Sequence, residues 1–471
     1  MTHDRDYLID GLSALVGVAH VLVEDAAMAP YLTDWRKRFT GHALCVVRPR
    51  TTDEVSAVMR FAAEHHLAIV PQGGNTGLVG GSVPLGLGHE IVISLTRMAH
   101  IRTIDVESDS LIVEAGATLL TVQEAAQNVD RLFPLSLASE GTATIGGTIA
   151  TNAGGTAALA YGTMRDLVRG VEVVLPDGRV LDLLTTLRKD NTGYDLKSLF
   201  IGSEGTLGIV TAASLKLFPL PRSRATVFCG VASPQAALNL LQVMKAQAGA
   251  ALTTFELMPR LAIDLAIKHL PSIRDPLANK HAWYVMTELS SLEPEGAYAL
   301  AMRLMEGALE SGGVTDAVIA QSLAQADSFW ALREGLPEAQ TKEGASIKHD
   351  ISVPIVDIPL FIDRVTQELK VLVPGIRPFV FGHMGDGNLH FNLQSPEDMD
   401  PREFMARASD IHALVYRHVI EMKGSISAEH GIGQLKRSEL AVTKDPLALD
   451  VMRQIKQILD PEGRMNPGKV L

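Results

Sequence analysis

The chain has 471 residues, of which 46% are hydrophobic and 20% charged, a composition typical of a soluble globular protein with about two domains. Its formal net charge of -12 would repel a nucleic-acid backbone, so DNA or RNA binding is not expected. Only Cys45 and Cys229 occur, which excludes a disulfide framework and favours a reducing, cytoplasmic location. No segment reaches transmembrane length, so contact with an inner membrane would be peripheral.

The first 40 residues predict a helical segment that begins with an amphipathic helix. Residues 41–222 form the first predicted domain, which is rich in strands after residue 90. Thr51 and Glu54 have the spacing of a capping box, so a helix is expected to start there. The pair Asp177-Gly178 predicts a tight primed turn in the hairpin GVEVVLPDGRVLDL.

Glycine-rich loops are the main chemical feature of this first domain. Five glycines in PQGGNTGLVGGSVP let successive backbone N–H groups turn inward, so this loop can bind a diphosphate. The spacing matches neither the dinucleotide fingerprint nor the Walker pattern, and a flexible surface loop is the alternative interpretation. Two more glycine-rich segments, residues 138–162 and 191–211, indicate one long ligand lying across all three loops.

The loop order GGNTG, IGGTIATNAGG and GYDLKSLFIGSEGTLGIVT resembles the FAD domain of the vanillyl-alcohol-oxidase type flavoproteins over residues 40–220. The resemblance implies an α+β fold with a two-part FAD-binding domain of the PCMH type. Since the diphosphate loop lacks the histidine or cysteine that attaches flavin in some relatives, we expect non-covalent FAD. The implied diphosphate contacts are Gly73, Gly74, Asn75, Thr76 and Gly77, and the implied flavin or ribityl contacts are Gly141, Thr142, Gly147, Asn152, Gly155, Gly208 and Ile209.

Residues 223–435 form the second predicted domain, a substrate-binding cap with an antiparallel sheet covered by helices and carrying a metal site. Residues 436–471 are predicted to pack back on the FAD domain. In RPFVFGHMGDGNLHFNLQ, Asp386-Gly387 predicts a type I′ turn that places His383 directly opposite His390, about 5 Å apart at Cβ. Asn392 would share their face.

A third metal ligand is available in the segment SAEHGIG, where Glu429 stands beside His430. One carboxylate and two imidazoles suit Zn²⁺ with an open coordination position. The alternative is that both hairpin histidines only make hydrogen bonds within a sheet.

GHMGDGNLHFN followed by SAEHGIGQLKR resembles the C-terminal domain shared by D-2-hydroxyglutarate dehydrogenases, D-lactate dehydrogenases and the flavoprotein subunit of glycolate oxidase. The resemblance implies that the metal is held by His383, His390 and Glu429, and that His430 removes a proton. It assigns Arg333 and Lys348, with Asn392 near them, to substrate binding. One position departs from the pattern, because Pro337 stands where a threonine commonly follows the arginine by four residues.

The resemblance implies an FAD-dependent dehydrogenase of a D-2-hydroxy acid, 2-hydroxyglutarate first and D-malate second. D-Lactate dehydrogenase or a glycolate oxidase flavoprotein subunit is the alternative. A non-redox transferase of the alkyl-dihydroxyacetone-phosphate synthase type is more remote, since one fold can serve both chemistries. Because no iron-sulfur or nicotinamide motif is visible, the expected partners are an external acceptor such as an electron-transfer flavoprotein or a quinone, and a second copy of the chain in a homodimer.

Overall fold

The helices and strands follow the apolar periodicity of the sequence in a computed structural model that describes residues 5–471. Residues 1–4, the start of the predicted N-terminal segment, lie outside the described residues. The strands are β1 Val21–Leu22, β2 Cys45–Val47, β3 Ala68–Gln72, β4 Glu90–Ser94, β5 Ile101–Asp105, β6 Ser110–Glu114, β7 Arg131–Leu132, β8 Val168–Val174, β9 Val180–Asp182, β10 Ile209–Lys216, β11 Phe218–Pro219, β12 Ser223–Val231, β13 Leu252–Pro259, β14 Trp283–Ser291, β15 Asp316–Ile319, β16 Ser346–Ile347, β17 Asp350–Ser352, β18 Arg377–His383 and β19 Asn388–Gln394.

The helices lie before, between and after these strands along the chain. They are α1 Arg5–Val16, α2 Asp25–Leu32, α3 Thr52–Glu64, α4 Leu119–Gln127, α5 Ile145–Thr151, α6 Ala158–Tyr161, α7 Met164–Leu167, α8 Lys197–Phe200, α9 Pro234–Ala248, α10 Arg260–His269, α11 Gly296–Glu310, α12 Leu323–Glu343, α13 Ile358–Leu372, α14 Pro401–Ala406, α15 Ala408–Glu421, α16 Arg437–Thr443 and α17 Pro446–Leu459.

The chain divides into two compact units. Unit 1 contains the residues up to Gly155, then Gly162–Leu220 and Glu429–Leu471, and unit 2 contains Thr156–Tyr161 and Pro221–Ala428. From the sequence, the domain boundaries were predicted to lie after residues 222 and 435. Unit 1 is therefore built from three separate pieces of the chain.

Unit 1 contains two larger sheets and the two-stranded pairing of β7 with β11. One has the strand order β1-β2-β4-β3, with β4 parallel to both β2 and β3, and the other is antiparallel with the order β5-β6-β10-β8-β9. Helix α3 begins where the sequence predicts, because the Thr51 side chain accepts a hydrogen bond from the Glu54 N–H at 3.1 Å. Helix α1 buries Leu8 and Leu12 in the core of this unit.

The hairpin of β8 and β9 corrects the predicted primed turn. Val174 pairs with Val180, and the Gly178 N–H donates to the Leu175 carbonyl at 2.9 Å. A type I′ turn needs positive φ at both central residues, but only Gly178, with φ of 84°, has it. The loop is therefore one residue longer than predicted, with a glycine bulge after an ordinary turn.

Unit 2 is built on an eight-stranded antiparallel sheet with helices on both faces. Its order is β15-β12-β14-β13-β18-β19-β16, and β17 also pairs with β19. Alternation along β12 sends Val227 and Cys229 into the core beneath α9, α11, α13 and α15, while Phe228 enters the core beneath α10 and α12. The two units together confirm the predicted α+β fold class.

The C-terminal tail, predicted to pack back on the first domain, pairs with the edge strand β3. The Ile69 N–H donates to the Arg464 carbonyl at 2.8 Å, and the Ile69 carbonyl accepts from the Asn466 N–H at 2.7 Å. The Asn466 side chain also donates to the carbonyls of Gly81 and Glu204. These hydrogen bonds fix the tail against the first glycine loop of unit 1.

Glu343, at the end of α12, joins α10, α12 and β18 through one carboxylate. It accepts hydrogen bonds from Lys268 at 2.7 Å, His269 at 2.6 Å and Arg377 at 2.8 Å, and its side chain is only 7% exposed. Burial raises the pKa of Glu343, but the hydrogen bonds from these three donors outweigh burial and lower it to about 2. The folded state therefore holds Glu343 as a carboxylate.

We expect Glu343→Gln to destabilise the protein by about 1.5–3 kcal/mol at neutral pH, the usual loss for a hydrogen bond to a charged group. A lowered carboxyl pKa stabilises the fold above its unfolded value and loses that effect as pH falls toward about 2. The stability difference between parent and variant should therefore shrink below about pH 4.5, as measured by urea denaturation from pH 7 to pH 3. Glu397→Gln, whose side chain is 77% exposed, is the control and should have little effect; a difference independent of pH would contradict this account.

Candidate active site

A cavity of about 340 Å³ lies among the glycine loops of unit 1, within the range of about 300–1,000 Å³ usual for ligand sites. Its wall includes all five residues predicted for the diphosphate, Gly73, Gly74, Asn75, Thr76 and Gly77, and three of those predicted for the flavin or ribityl, Gly147, Gly208 and Ile209. The wall also contains Glu429 and His430. The structure thus brings residues from four distant parts of the sequence around one space.

Four residues predicted as flavin or ribityl contacts are not in this wall: Gly141, Thr142, Asn152 and Gly155. The Asn152 side chain instead accepts hydrogen bonds from Thr163 Oγ1 at 3.0 Å and from the Arg165 N–H at 2.9 Å. A Cβ atom at Gly155 would lie 2.2 Å from the Ser136 carbonyl oxygen. Asn152 and Gly155 thus contact the protein's own backbone and side chains, and the contact of all four residues with a cofactor stays a prediction.

The diphosphate loop presents backbone rather than side chains. Asn75 has a φ of 52° and donates to the carbonyls of Pro30 at 3.1 Å and Thr33 at 2.9 Å, while its side-chain oxygen accepts from Ser82. A Cβ atom at Gly77 would meet no atom within 4 Å. The Asn75 side chain therefore holds the loop in shape, and the open space beside Gly77 fits the backbone cradle that an FAD diphosphate requires.

Glu204 is a wall residue that the sequence analysis did not select. Its carboxylate oxygens accept hydrogen bonds from the N–H groups of Ile432 at 2.7 Å and Gly433 at 2.8 Å. Burial raises the pKa of Glu204, against these two hydrogen bonds and the charge of Lys436. Glu204 thus holds the loop that follows Glu429 and His430; an acidic residue inside the glycine-rich motif SEGTLG was the available signal.

The histidine hairpin of unit 2 differs from its predicted register by two residues. His390 pairs with Phe381 rather than with His383, and a loop of four residues joins β18 to β19. Gly387 has positive φ but Asp386 does not, so the predicted type I′ turn cannot form. The loop is tied to β13 through a hydrogen bond from the Gly385 N–H to the Phe255 carbonyl at 3.3 Å.

A shift of two residues keeps every side chain on its predicted face, because the strand period is two. The rings of His383 and His390 accordingly lie 5.6 Å apart between centroids, at an interplanar angle of 75°. The cross-strand pairing and the turn type were both predicted incorrectly. The proximity of the two imidazoles was predicted correctly.

Glu256 is the other functional residue that the sequence analysis did not select. It lies on β13, opposite His383 of β18, and is completely buried. One carboxylate oxygen bonds to His383 Nδ1, and the other accepts from Arg333 Nε at 2.5 Å. Burial raises the pKa of Glu256, but the charges of Arg333 and His383 outweigh burial and lower it to about 2. A lone acid in the mostly apolar strand LTTFELMP gave no periodic signal that set it apart.

The predicted substrate residues lie in unit 2. Arg333 of α12 is 6% exposed, and its guanidinium lies 4.8 Å from the centroid of the Phe381 ring. Asn392 is buried and donates to Gln340 at 3.0 Å, while Lys348 is half-buried between β16 and β17. Pro337 lies inside α12, so the Arg333 carbonyl loses its usual helical donor.

Two family models match the chain, an FAD binding domain over residues 43–184 and the C-terminal domain of FAD linked oxidases over residues 220–470. The first match confirms the expectation of FAD. No helix within residues 5–471 has the length and apolar character needed to cross a membrane.

Among curated proteins, the chain is 38% identical over 457 residues to the mitochondrial D-2-hydroxyglutarate dehydrogenase of Arabidopsis thaliana, covering 97% of this chain and 80% of the relative. The mitochondrial enzyme of Danio rerio is 39% identical over 93% of this chain and 80% of its own length. The D-2-hydroxyglutarate dehydrogenase of Xanthomonas citri is 37% identical over 99% of this chain and 97% of its own length.

These names correct one expectation. The cytoplasmic location expected from the cysteine content is wrong, since the plant and vertebrate relatives are named as mitochondrial proteins. Cysteine usage reports the redox state of a compartment but does not distinguish one reducing compartment from another.

Solved structures support the fold. p-Cresol methylhydroxylase with bound substrate matches with a TM-score of 0.76 at 17% identity, covering 100% of this chain and 97% of that one. Alkyldihydroxyacetonephosphate synthase matches with a TM-score of 0.74 at 17% identity, covering 98% and 84%. At such identities the likeness shows the fold alone. The similarity to the curated relatives spans nearly the whole chain, including the ranges of both family models. The chain therefore belongs to the family of FAD-linked D-2-hydroxyglutarate dehydrogenases, which are oxidoreductases that act on a CH–OH group.

Proposed function

We propose that the chain oxidises D-2-hydroxyglutarate to the 2-oxo acid, passing a hydride to FAD bound non-covalently along the cavity of unit 1. The observation that carries the choice of substrate is buried Arg333. Its Nε donates to Glu256, while its two terminal amino groups make no hydrogen bond to any residue in the range 5–471. A guanidinium held in this way is suited to a second carboxylate, which D-lactate and glycolate lack.

A divalent metal, with Zn²⁺ as the first choice, is the second part of the proposal. Support comes from His383, whose Nδ1 bonds to the Glu256 carboxylate, because a carboxylate on one ring nitrogen is the usual partner of a histidine that binds a metal through the other. His390 supplies the second imidazole, and the family resemblance of EHGIG assigns Glu429 as the third ligand. Such an ion supplies Lewis-acid stabilisation of the substrate oxygen as its proton leaves.

The chain's own residues then perform the remaining steps. His430 accepts the hydroxyl proton as general base; its place beside Glu429 in the cavity wall supports this role. Lys348 and Asn392 join Arg333 in holding the substrate carboxylates, so that the hydrogen on the α carbon points toward the flavin. The electrons leave to an external acceptor, such as an electron-transfer flavoprotein or a quinone, and the chain acts as a homodimer.

The FAD proposal is tested by filling the space beside Gly77. We expect Gly77→Leu to weaken FAD binding by tenfold or more, equivalent to about 1.4 kcal/mol or above, because its side chain would occupy the cradle. The melting temperature of the flavin-free protein should change little, since no atom lies within 4 Å of the added Cβ. The flavin-to-protein ratio after gel filtration is the measurement.

Gly307→Leu is the control for the flavin experiment, because Gly307 also faces open space but lies on α11 of unit 2. Acid precipitation should release the flavin from the parent. Flavin that stays with the pellet would contradict non-covalent binding, and full occupancy in Gly77→Leu would contradict the cradle.

The metal proposal is tested by chelation and by His390→Gln. Chelation should abolish turnover and leave FAD bound, because the proposed metal ligands do not belong to the diphosphate loop. His390→Gln should retain at least tenfold less metal by elemental analysis than the parent, since it lacks one of few ligands. His66→Gln, a histidine whose side chain is 79% exposed, should match the parent; a fully active, metal-free His390→Gln would refute the metal.

The substrate proposal is tested by Lys348→Met and Arg333→Gln on two acids. A charge-assisted contact contributes about 1.5–3 kcal/mol, so each variant should lose roughly one to two decades of kcat/KM on D-2-hydroxyglutarate. D-Lactate has no second carboxylate, and its kcat/KM should fall less. The ratio of the two losses cancels any effect common to both acids.

Lys342→Met provides the control for the substrate experiment, because Lys342 is a half-exposed cation on the same helix as Arg333. This variant should keep the parent's preference for D-2-hydroxyglutarate over D-lactate. Equal fractional losses on both acids, or a parent that prefers D-lactate, would rule out the dicarboxylate assignment.

A further inference from the structure

A single buried carboxylate contacts two parts of the proposed site in unit 2. We infer that Glu256 is a positioning residue, which fixes both the metal-binding imidazole of His383 and the substrate-binding guanidinium of Arg333. The inference rests on the proposed function, because the roles of His383 and Arg333 belong to it. Glu256 itself touches neither substrate nor cofactor in this account.

The geometry comes from the sheet. Residues of β13 alternate between the two faces, so Phe255 and Leu257 enter the core beneath α9 and α13, while Glu256 and Met258 face α10 and α12. His383 stands directly opposite Glu256 in the β13 and β18 pairing. Arg333 reaches the same carboxylate from α12 above this face.

The two carboxylate oxygens have separate tasks. The oxygen on the His383 side accepts the Nδ1 proton, which orients the imidazole ring so that Nε2 points away from Glu256. The other oxygen accepts from Arg333 Nε at 2.5 Å, which leaves the terminal amino groups for another anion. One carboxylate therefore sets the orientation of both side chains.

The Phe381 ring contacts both Arg333 and His390. Phe381, two residues before His383 on β18, lies 4.8 Å from the Arg333 guanidinium carbon and 4.9 Å from the His390 ring. A cation over an aromatic face is favourable when water is excluded. Arg333 is thus confined between a carboxylate and a ring, so loss of the carboxylate should leave it buried but free to rotate.

The test is Glu256→Gln, which keeps the size of the side chain but loses its charge. Its amide oxygen can serve only one of the two donors, and its NH₂ group would face a donor at the other position. Metal affinity, measured by competition with a chelator, should fall by roughly 10–100-fold. At saturating metal, KM for D-2-hydroxyglutarate should still rise about tenfold, from the loss of the Arg333 orientation, while KM for D-lactate should rise less.

Glu288→Gln is the matched control. Glu288 lies on the adjacent strand β14, is half-buried, and accepts a hydrogen bond from Trp330 Nε1 at 3.2 Å. It should bind metal and substrate as the parent does. If Glu256→Gln loses thermal stability but keeps the metal affinity and both KM values of Glu288→Gln, Glu256 has only a structural role and the inference is wrong.

A second measurement uses the metal-free parent, so that it decides the matter even if Glu256→Gln does not fold. Selective ¹⁵N labelling of the histidines should show His383, assigned through His383→Gln, with a proton on Nδ1. A His383 ring without a proton on Nδ1 would overturn the inference. A parent that binds no metal and does not oxidise D-2-hydroxyglutarate would refute the proposed function instead, while the Nδ1 proton would still report on Glu256.

Discussion

A carboxylate in the interior of a sheet is stable only where donors surround it, because the cost of removing its charge from water exceeds that of any single lost contact. Glu256 meets this requirement with one imidazole and one guanidinium. The packing of α12 on the sheet of unit 2 meets that need, since α12 brings Arg333 to the sheet and β18 pairs with β13 so that His383 lies opposite Glu256. Sheet register and helix position are thereby linked through a single charge.

In unit 1 the main requirement is to hold glycine-rich loops in place around a cavity. This cavity is lined largely by glycine loops, and the Asn75 side chain supports one of these loops by bonding to Pro30 and Thr33. Glu204 keeps the loop after His430 in place through two backbone N–H groups. Unit 2 thus fixes charged side chains, whereas unit 1 fixes loops, and these two arrangements suit the compact polar substrate and the long cofactor of the proposed function.

The sequence predicted the features that depend on local chemistry. Glycine loops, the Thr51 cap and the approach of His383 to His390 all follow from residue type and strand period. The hairpin register did not follow, because it depends on a hydrogen bond from Gly385 to β13, about 130 positions earlier in the chain. Glu256 and Glu204 are both recognised by partners far away in sequence. Glu256 has no motif of its own, whereas the motif SEGTLG marked Glu204 but did not indicate its partners. Fold class and family were predictable from motifs, whereas the supporting carboxylates required coordinates.

The pairing of Ile69 with Met465 and its neighbours has a consequence for synthesis of the chain. Strand β3 is made early, but within residues 5–471 its outer edge pairs with residues 464–466, which are translated much later. Unit 2 is complete once residue 428 has been translated, so it can fold while β3 still exposes unpaired backbone groups. The nascent protein therefore passes through a stage with a finished second unit and an unfinished first one, when that open edge is most vulnerable to pairing with other chains.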